Sequence, residues 1–206
     1  MVDGRMIKPS VTVVDLDGTL VRGNTLEMYL RAGVTELIRN YRIDKALAVV
    51  ALVSARKARI ISHEAMKYRV FTLLPRTEKI RLKMAETVND SLNPHVVSFL
   101  DQRRAAGDTI LLATAAPEFY VRWFWDGNLV ASPEHGPDCK GKAKRDAVNR
   151  WLSDHGGKIA YFLTDHLDDL PLAKIAGNTI LINPDKKTLG TFDKNGIRYT
   201  VGTPTS

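Results

Sequence analysis

The stretch Val11-Thr12-Val13-Val14-Asp15-Leu16-Asp17-Gly18-Thr19-Leu20 most constrains how this chain folds. A run of mostly β-branched apolar residues enters two carboxylates and then Gly-Thr. Such a run reads as a strand buried on both faces, with its polar residues at the carboxyl end. In open α/β sheets, ligands bind just outside the carboxyl ends of the strands. Asp15 and Asp17 therefore fall where chemistry is expected, and Gly18 permits a turn that a side chain would block. A strand followed by an ordinary Asp-Gly turn reads the same way, so the rest of the chain has to separate the two.

The texture changes from about Arg22 to Pro94. Leu, Ala, Arg, Lys and Glu replace the β-branched runs. Asn24 caps an expected helix, and further helices are expected over Asp44–Arg59, Ser62–Leu74 and Arg76–Leu92. The apolar run Ala46–Val53 is too short to span a bilayer. Burial in the core is its default role, with a dimer contact or a shallow membrane-docking surface as alternatives.

Asn93-Pro94 then opens a helix that stops at Gly107. Strands are expected at Thr109–Ala113, Leu129–Ala131, Ile159–Leu163 and Thr179–Ile182, with an edge strand at 198–201. Helices are expected over Pro117–Trp125, over Lys142–His155, and from the 165–169 turn to Ala176. Alternating strands and helices imply a parallel sheet with right-handed crossovers. The expected fold is thus α/β: a Rossmann-like parallel sheet core with helices on both faces and an inserted helical cap. The core takes residues 1–21 and 94–206, and the cap residues 22–93. Residues 1–9 and 202–206 read as a loose arm and a polar tail.

Three expected strands end in polar residues: Asp15/Asp17, Thr114, and Asp165/Asp169. In a parallel sheet these ends share one rim. Lys142 and Lys144 open a helix between them. Carboxylates, a hydroxyl and a lysine suit Mg²⁺ and phosphate, because Mg²⁺ takes a few carboxylates plus substrate oxygens and Thr and Lys donate to phosphate oxygens.

Four segments in order resemble the haloacid dehalogenase superfamily, most of all its phosphoserine-phosphatase-like branch. They are Val13–Leu20, Leu111–Phe119, Cys139–Lys144 and Asp165–Leu172. The resemblance covers the core, while the cap matches in position and helical texture. It implies that Asp15 is the nucleophile, forming an aspartyl-phosphate, and that Asp17 is the general acid and then base. It implies Mg²⁺ on Asp15, on the Asp17 backbone carbonyl and on Asp165, with Asp169 behind them. Thr114 and the Ala115 amide would hold phosphoryl oxygens, and Lys144 would neutralise charge. Lys142 competes for that last role, but the Gly141-x-x-Lys spacing favours Lys144. Thr164, His166 and Asp168 depart from the usual fourth segment, and Asn24 stands where phosphoserine phosphatases carry Glu.

The expected function is a phosphomonoesterase acting on a small phosphorylated metabolite. The alternatives are a phosphatase of a phosphorylated lipid at a membrane surface and a non-catalytic phospho-ligand binder. Charge bears on the choice. Residues 21–105 hold sixteen Lys/Arg against eight Asp/Glu, while the remainder holds fourteen against fifteen. The positive excess therefore lies in the helical segment and favours anionic partners, including an anionic membrane. No nucleic-acid reading motif is present. His63, His95, His135 and His155 read as structural, and His166 as a candidate substrate contact. Cys139 is the single cysteine, so no internal disulfide can form. Residues 1–9 lack the apolar stretch of a secretory leader. A cytoplasmic location is expected.

Overall fold

A computed structural model describes residues 9–202; the loose arm and most of the polar tail lie outside these. Six parallel strands form one sheet in the order β3-β2-β1-β4-β5-β6. They are β1 (Ser10–Val14), β2 (Thr109–Pro117), β3 (Asn128–Ser132), β4 (Lys158–Thr164), β5 (Asn178–Ile182) and β6 (Tyr199–Gly202). The expected α/β class and parallel sheet are what the chain forms. β1 lies at the centre, with Val14 level with Leu112 of β2 and Leu163 of β4. That central place explains why Val11–Val14 is apolar without interruption except for buried Thr12.

Strand alternation sorts the core into two layers. Val14, Leu112 and Leu163 face one side, together with buried residues of α1 (Thr25–Arg39), α2 (Ile43–Lys57), α3 (His63–Leu73), α4 (Glu78–Asp90) and α5 (Pro94–Ala105). Val13, Leu111 and Phe162 face the other, against Val148 of α7 (Lys142–His155), Leu172 of α8 (Leu170–Ala173) and Phe192 of α9 (Lys186–Lys194). Helices α1–α4 thus fill the segment between β1 and α5, and their apolar residues join the core layer of one sheet face.

The chain departs from sequence expectation in four places. β2 continues past Ala113, because Thr114–Pro117 stays extended and Pro117 pairs with Ser132 beyond a register shift. The expected helix Pro117–Trp125 shortens to one turn, α6 (Glu118–Val121); Trp125 Nε1 then donates to the Asn128 carbonyl at 3.0 Å, tying the turn to β3. Helix α9 was not anticipated beyond Pro184. The Asp185 carboxylate caps it by accepting the Thr188 N–H at 2.7 Å, and Phe192 anchors it in the core. Last, Ala46–Val53 is not a core run throughout. Ala46 and Val49 are buried, whereas Leu47 and Val50 on the adjoining side of the helix are exposed. The reason is coverage: among the described residues, α2 packs chiefly on α1 and α3, which leaves its outer side exposed.

Candidate active site

β1 delivers Asp15 to the carboxyl rim, where its N–H donates to the Leu163 carbonyl of β4 at 2.9 Å. Its carboxylate is buried, with the residue 7% exposed. Helix α7 begins at Gly141, whose φ of +57° suits glycine, and its first turn turns Lys144 inward. The Lys144 ammonium lies 2.7 Å from Asp15 Oδ1 and 2.8 Å from Asp169 Oδ1. Asp169 also accepts the Thr164 hydroxyl at 2.8 Å. Lys144 and Asp169 are each 3% exposed. Residues 15, 144, 164 and 169 therefore form one buried polar chain assembled from β1, α7 and the end of β4.

Asp17 sits one turn further out. The first N–H of α1, on Thr25, donates to Asp17 Oδ1 at 2.6 Å. This uses a free amide at a helix start, where a negative charge is favoured. Between the two aspartates' turn and β4, Gly18 has φ +77°, and an added Cβ would lie 2.1 Å from Asp165 Oδ2. Only a glycine lets Asp165 approach that backbone. Thr114 and Ala115 end the neighbouring strand. Thr114 is buried and its hydroxyl accepts the Ala116 N–H at 3.0 Å. No hydrogen bond joins Thr114 or Ala115 to the carboxylate cluster among the described residues; they share its rim.

The charges are unevenly matched. Burial pushes the Asp15 carboxyl up to about 7; Lys144 pulls it down, while Asp169 and Asp165 add repulsion. Burial works against the Lys144 ammonium as well, but two carboxylates outweigh it and hold its pKa above the ordinary value. The two rise for different reasons: burial lifts Asp15, and the two carboxylates lift Lys144. Burial also raises Asp165 to about 6. Asp17 is raised by burial, against the lowering effect of the Thr25 N–H.

These carboxylates can accommodate a cation. Among the described residues, no three Asp, Glu, His or Cys side chains converge on one point. The chain's share would be the carboxylates of Asp15 and Asp165 with the Asp17 main-chain carbonyl, leaving the other positions to water and ligand oxygens. That is how Mg²⁺ is usually held. Asp165 supplies the supporting observation: it is largely buried, raised by that burial, and receives no side-chain donor among the described residues.

Several expectations resolve at this point. Lys144, not Lys142, reaches the carboxylates, and Lys142 is exposed. His166 is exposed, and its Nδ1 accepts the Asp168 N–H at 3.2 Å, capping the turn after β4. Asp168 is half exposed, 3.6 Å from Lys140. Asn24, at the position where phosphoserine phosphatases carry Glu, caps α1 by accepting the Glu27 N–H at 3.1 Å. Sequence reasoning missed Ser132, Thr25 and the pair Lys67–Asp138. Buried Ser132 donates to the Ala115 carbonyl and accepts the Cys139 N–H, each at 2.7 Å; it thereby ties the end of β2 to the loop before α7. Lys67 of α3 is buried and forms an ion pair with Asp138 in that loop. These links join residues far apart in sequence, so no local pattern announces them.

Known proteins place this arrangement. The chain is 22% identical to a protein of unknown function from Bordetella pertussis Tohama I, with TM-score 0.72, covering 93% of this chain and 98% of that one. A phosphoserine phosphohydrolase-like protein from Francisella tularensis shares the fold at 14% identity and TM-score 0.59, each chain being 95% covered. A histidinol-phosphatase from Neisseria meningitidis is 26% identical over 125 residues, which are 50% of this chain and 55% of that protein. The match thus spans about half of that relative. A family model for haloacid dehalogenase-like hydrolases matches residues 12–174, from the middle of β1 to just past α8. With Asp15, Lys144 and Asp169 all inside that span, the chain belongs to the haloacid dehalogenase-like hydrolases.

Proposed function

We propose that this chain is a Mg²⁺-dependent phosphomonoesterase that cleaves a small phosphorylated metabolite through an aspartyl-phosphate on Asp15. The observation carrying this reading is the buried Asp15–Lys144–Asp169 cluster beside an Asp17 carboxylate held by the start of α1. Two named relatives, a histidinol-phosphatase and a phosphoserine phosphohydrolase-like protein, support phosphate-ester chemistry.

Asp15 Oδ attacks phosphorus, forming one P–O bond as the bond to the ester oxygen breaks. Asp17 gives its proton to the departing alkoxide, so the product leaves as an alcohol. Asp17, now ionised, takes a proton from a water that attacks the phosphorus of the aspartyl-phosphate. The acyl-phosphate P–O bond breaks, inorganic phosphate leaves and both aspartates are restored. Covalent catalysis of this kind splits one difficult displacement into two. Burial suits Asp17 to the proton-carrying role by raising its pKa. Thr114 and the Ala115 amide orient the phosphoryl oxygens, and Lys144 offsets charge on the nucleophile. Asp15, Asp165 and the Asp17 carbonyl would hold a divalent cation, which would supply further positive charge to the phosphoryl group.

Residues 22–93 serve as the cap over this core, with Lys67 and Asp138 holding α3 against the loop before α7. A cytoplasmic setting agrees with the lone, buried Cys139. The test is a panel of phosphorylated metabolites assayed with Mg²⁺, with Asp15→Asn as the control. Turnover by the wild type and its loss in the variant are expected. A folded wild type that releases phosphate from no ester refutes the reading.

A further inference from the structure

Helix α2 carries a broad apolar stripe, of which the protein covers one edge. Ala46 and Val49 are buried against the neighbouring helices. Ile43, Leu47 and Val50, spaced i, i+4, i+7, lie together on the adjoining edge and are exposed, Leu47 by 64% and Val50 by 52%. The apolar surface continues around the α1–α2 corner through Ile38 and through Tyr41, which is 91% exposed. Isolated exposed apolar residues need no explanation, but a contiguous set rimmed by charge marks an interaction surface.

The rim carries a basic excess, although Glu27 lines the groove beside Val50 with Arg31 and Lys57. Residues 38–60 contain Arg39, Arg42, Lys45, Arg56, Lys57 and Arg59 against the single acid Asp44, and Asp44 is engaged with Arg42 at 3.4 Å. Arg39 and Arg42 stand at one end of α2, Lys57 and Arg59 at the other. We propose that this face docks the protein on an anionic lipid bilayer, with α2 lying flat in the headgroup region.

The charge distribution selects this occupant. A second copy would lay α2 on α2. An antiparallel contact sets Arg39 and Arg42 against Lys57 and Arg59, and a parallel contact sets each basic end against itself. Either contact buries like charges together. A bilayer bearing anionic headgroups satisfies the basic ends and the apolar centre at once. No helix among the described residues is long and apolar enough to cross a membrane, so the contact is interfacial. Of this face, the α1–α2 corner lies farthest from the rim of the sheet, whereas Val50 and Lys57 line a groove with Glu27 and Leu30 of the first turns of α1. Helix α1 starts at Thr25, on Asp17, and ends at Arg39, and fifteen helical residues rise about 22 Å. The inference uses none of the residues of the proposed active site and stands independently of the phosphatase reading.

Flotation of the full chain with vesicles tests it. Phosphatidylcholine vesicles containing about a third phosphatidylglycerol carry the protein upward at low salt, and phosphatidylcholine alone does not. Salt of about 0.5 M weakens the binding by screening. Leu47→Gln/Val50→Gln lowers partitioning at least about tenfold by removing the apolar contribution. Arg39→Gln/Arg42→Gln lowers it about 25-fold, at about fivefold for each basic residue. All four side chains are exposed, so the variants keep the wild-type circular dichroism and melting curve. The proposal fails if the wild type does not float with anionic vesicles. It also fails if neutral vesicles bind it equally, or if both variants float as the wild type does. A dimer in light scattering that Leu47→Gln/Val50→Gln dissolves, without vesicle binding, assigns the face to a second copy and overturns the proposal.

Discussion

Replacing Lys144 by Met tests the charge balance at the rim. The ammonium lies 2.7 Å from Asp15 and 2.8 Å from Asp169, and all three residues are buried. Methionine keeps the stem's packing and removes the charge, leaving two carboxylates facing each other without a counter-ion. Breaking a buried ion pair by removing one partner costs roughly 3–5 kcal/mol. The loss should depend on pH in a stated direction. Burial already pushes Asp15 up to about 7 with Lys144 in place, and without the ammonium it rises further. A carboxyl whose folded pKa is raised binds protons more tightly when folded, so stability falls as pH rises through the window between the unfolded value and the folded one. Wild type should therefore lose stability from about pH 4 towards pH 7 through Asp15, and Lys144→Met should lose more, over a window reaching higher. Urea unfolding in EDTA at pH 5 and pH 8 measures this. The gap between variant and wild type should approach roughly 3–5 kcal/mol at pH 8 and shrink at pH 5, where Asp15 is protonated in both. An equal gap at the two pH values would mean that packing alone was lost, and the reading of a shared ammonium would be wrong.

Gly18→Ala places a methyl 2.1 Å from Asp165 Oδ2 at a φ of +77°. The backbone strain costs about 1–2 kcal/mol, and the displaced carboxylate should lower phosphatase activity about 10²-fold; unchanged kinetics would show that the Asp165 position is immaterial. Thr25→Pro removes the N–H that reaches Asp17 while keeping a residue that suits a first helical position. Without that donor the Asp17 carboxyl rises further, so the basic limb of kcat/KM should move to higher pH, and an unmoved limb would deny Asp17 the acid role. Tyr29 is fully buried among Phe71, Phe119, Tyr120 and Trp123, and its hydroxyl, beside the Arg76 guanidinium, makes no well-formed hydrogen bond among the described residues. Tyr29→Phe should leave the melting temperature equal or raised, whereas Tyr29→Ala should cost about 3–5 kcal/mol; a large loss in the Phe variant would reveal a bond that the hydroxyl makes.

What the sequence discloses depends on how local the cause is. Strand β1, the caps Asn24 and Asn93, and helix α7 rest on neighbours within a few residues, and each is readable from them. The rim is readable for a further reason: parallel strands put their carboxyl ends on one side, so Asp15, Thr114 and Asp165 share a boundary before any contact is known. Contacts across the chain are different. Thr12 with Asp108, Ser132 with Ala115, and Lys67 with Asp138 each join segments separated by at least seventeen positions, and no periodicity encodes which polar residue meets which. Helix α2 fails for a related reason. Its run Ala46–Val53 records that the residues are apolar, but burial depends on how many neighbours arrive, and only one side receives any. Helix α9 was obscured by Asn183-Pro184, which reads as an ending, although Asp185 three residues before Thr188 is a cap signal in plain view.

The charge inventory of the rim bears on how a phosphate could be received there. Asp15, Asp17, Asp165 and Asp169 face the single ammonium of Lys144, which is already divided between Asp15 and Asp169. Thr114 and the Ala115 amide offer dipoles rather than charge. A phosphate dianion brought to Asp15 would add negative charge where burial has already raised Asp15 and Asp165. Dipoles alone do not offset such repulsion in a dry site, where opposing charges interact far more strongly than in water. On the proposed function, the balance requires a second positive centre between nucleophile and substrate, which the Asp165 carboxylate, receiving no side-chain donor among the described residues, and the Asp17 carbonyl would hold. Cation and phosphate are then coupled ligands, each improving the site for the other by the same factor. The buried carboxylates, costly for the folded chain alone, are what make that coupling strong.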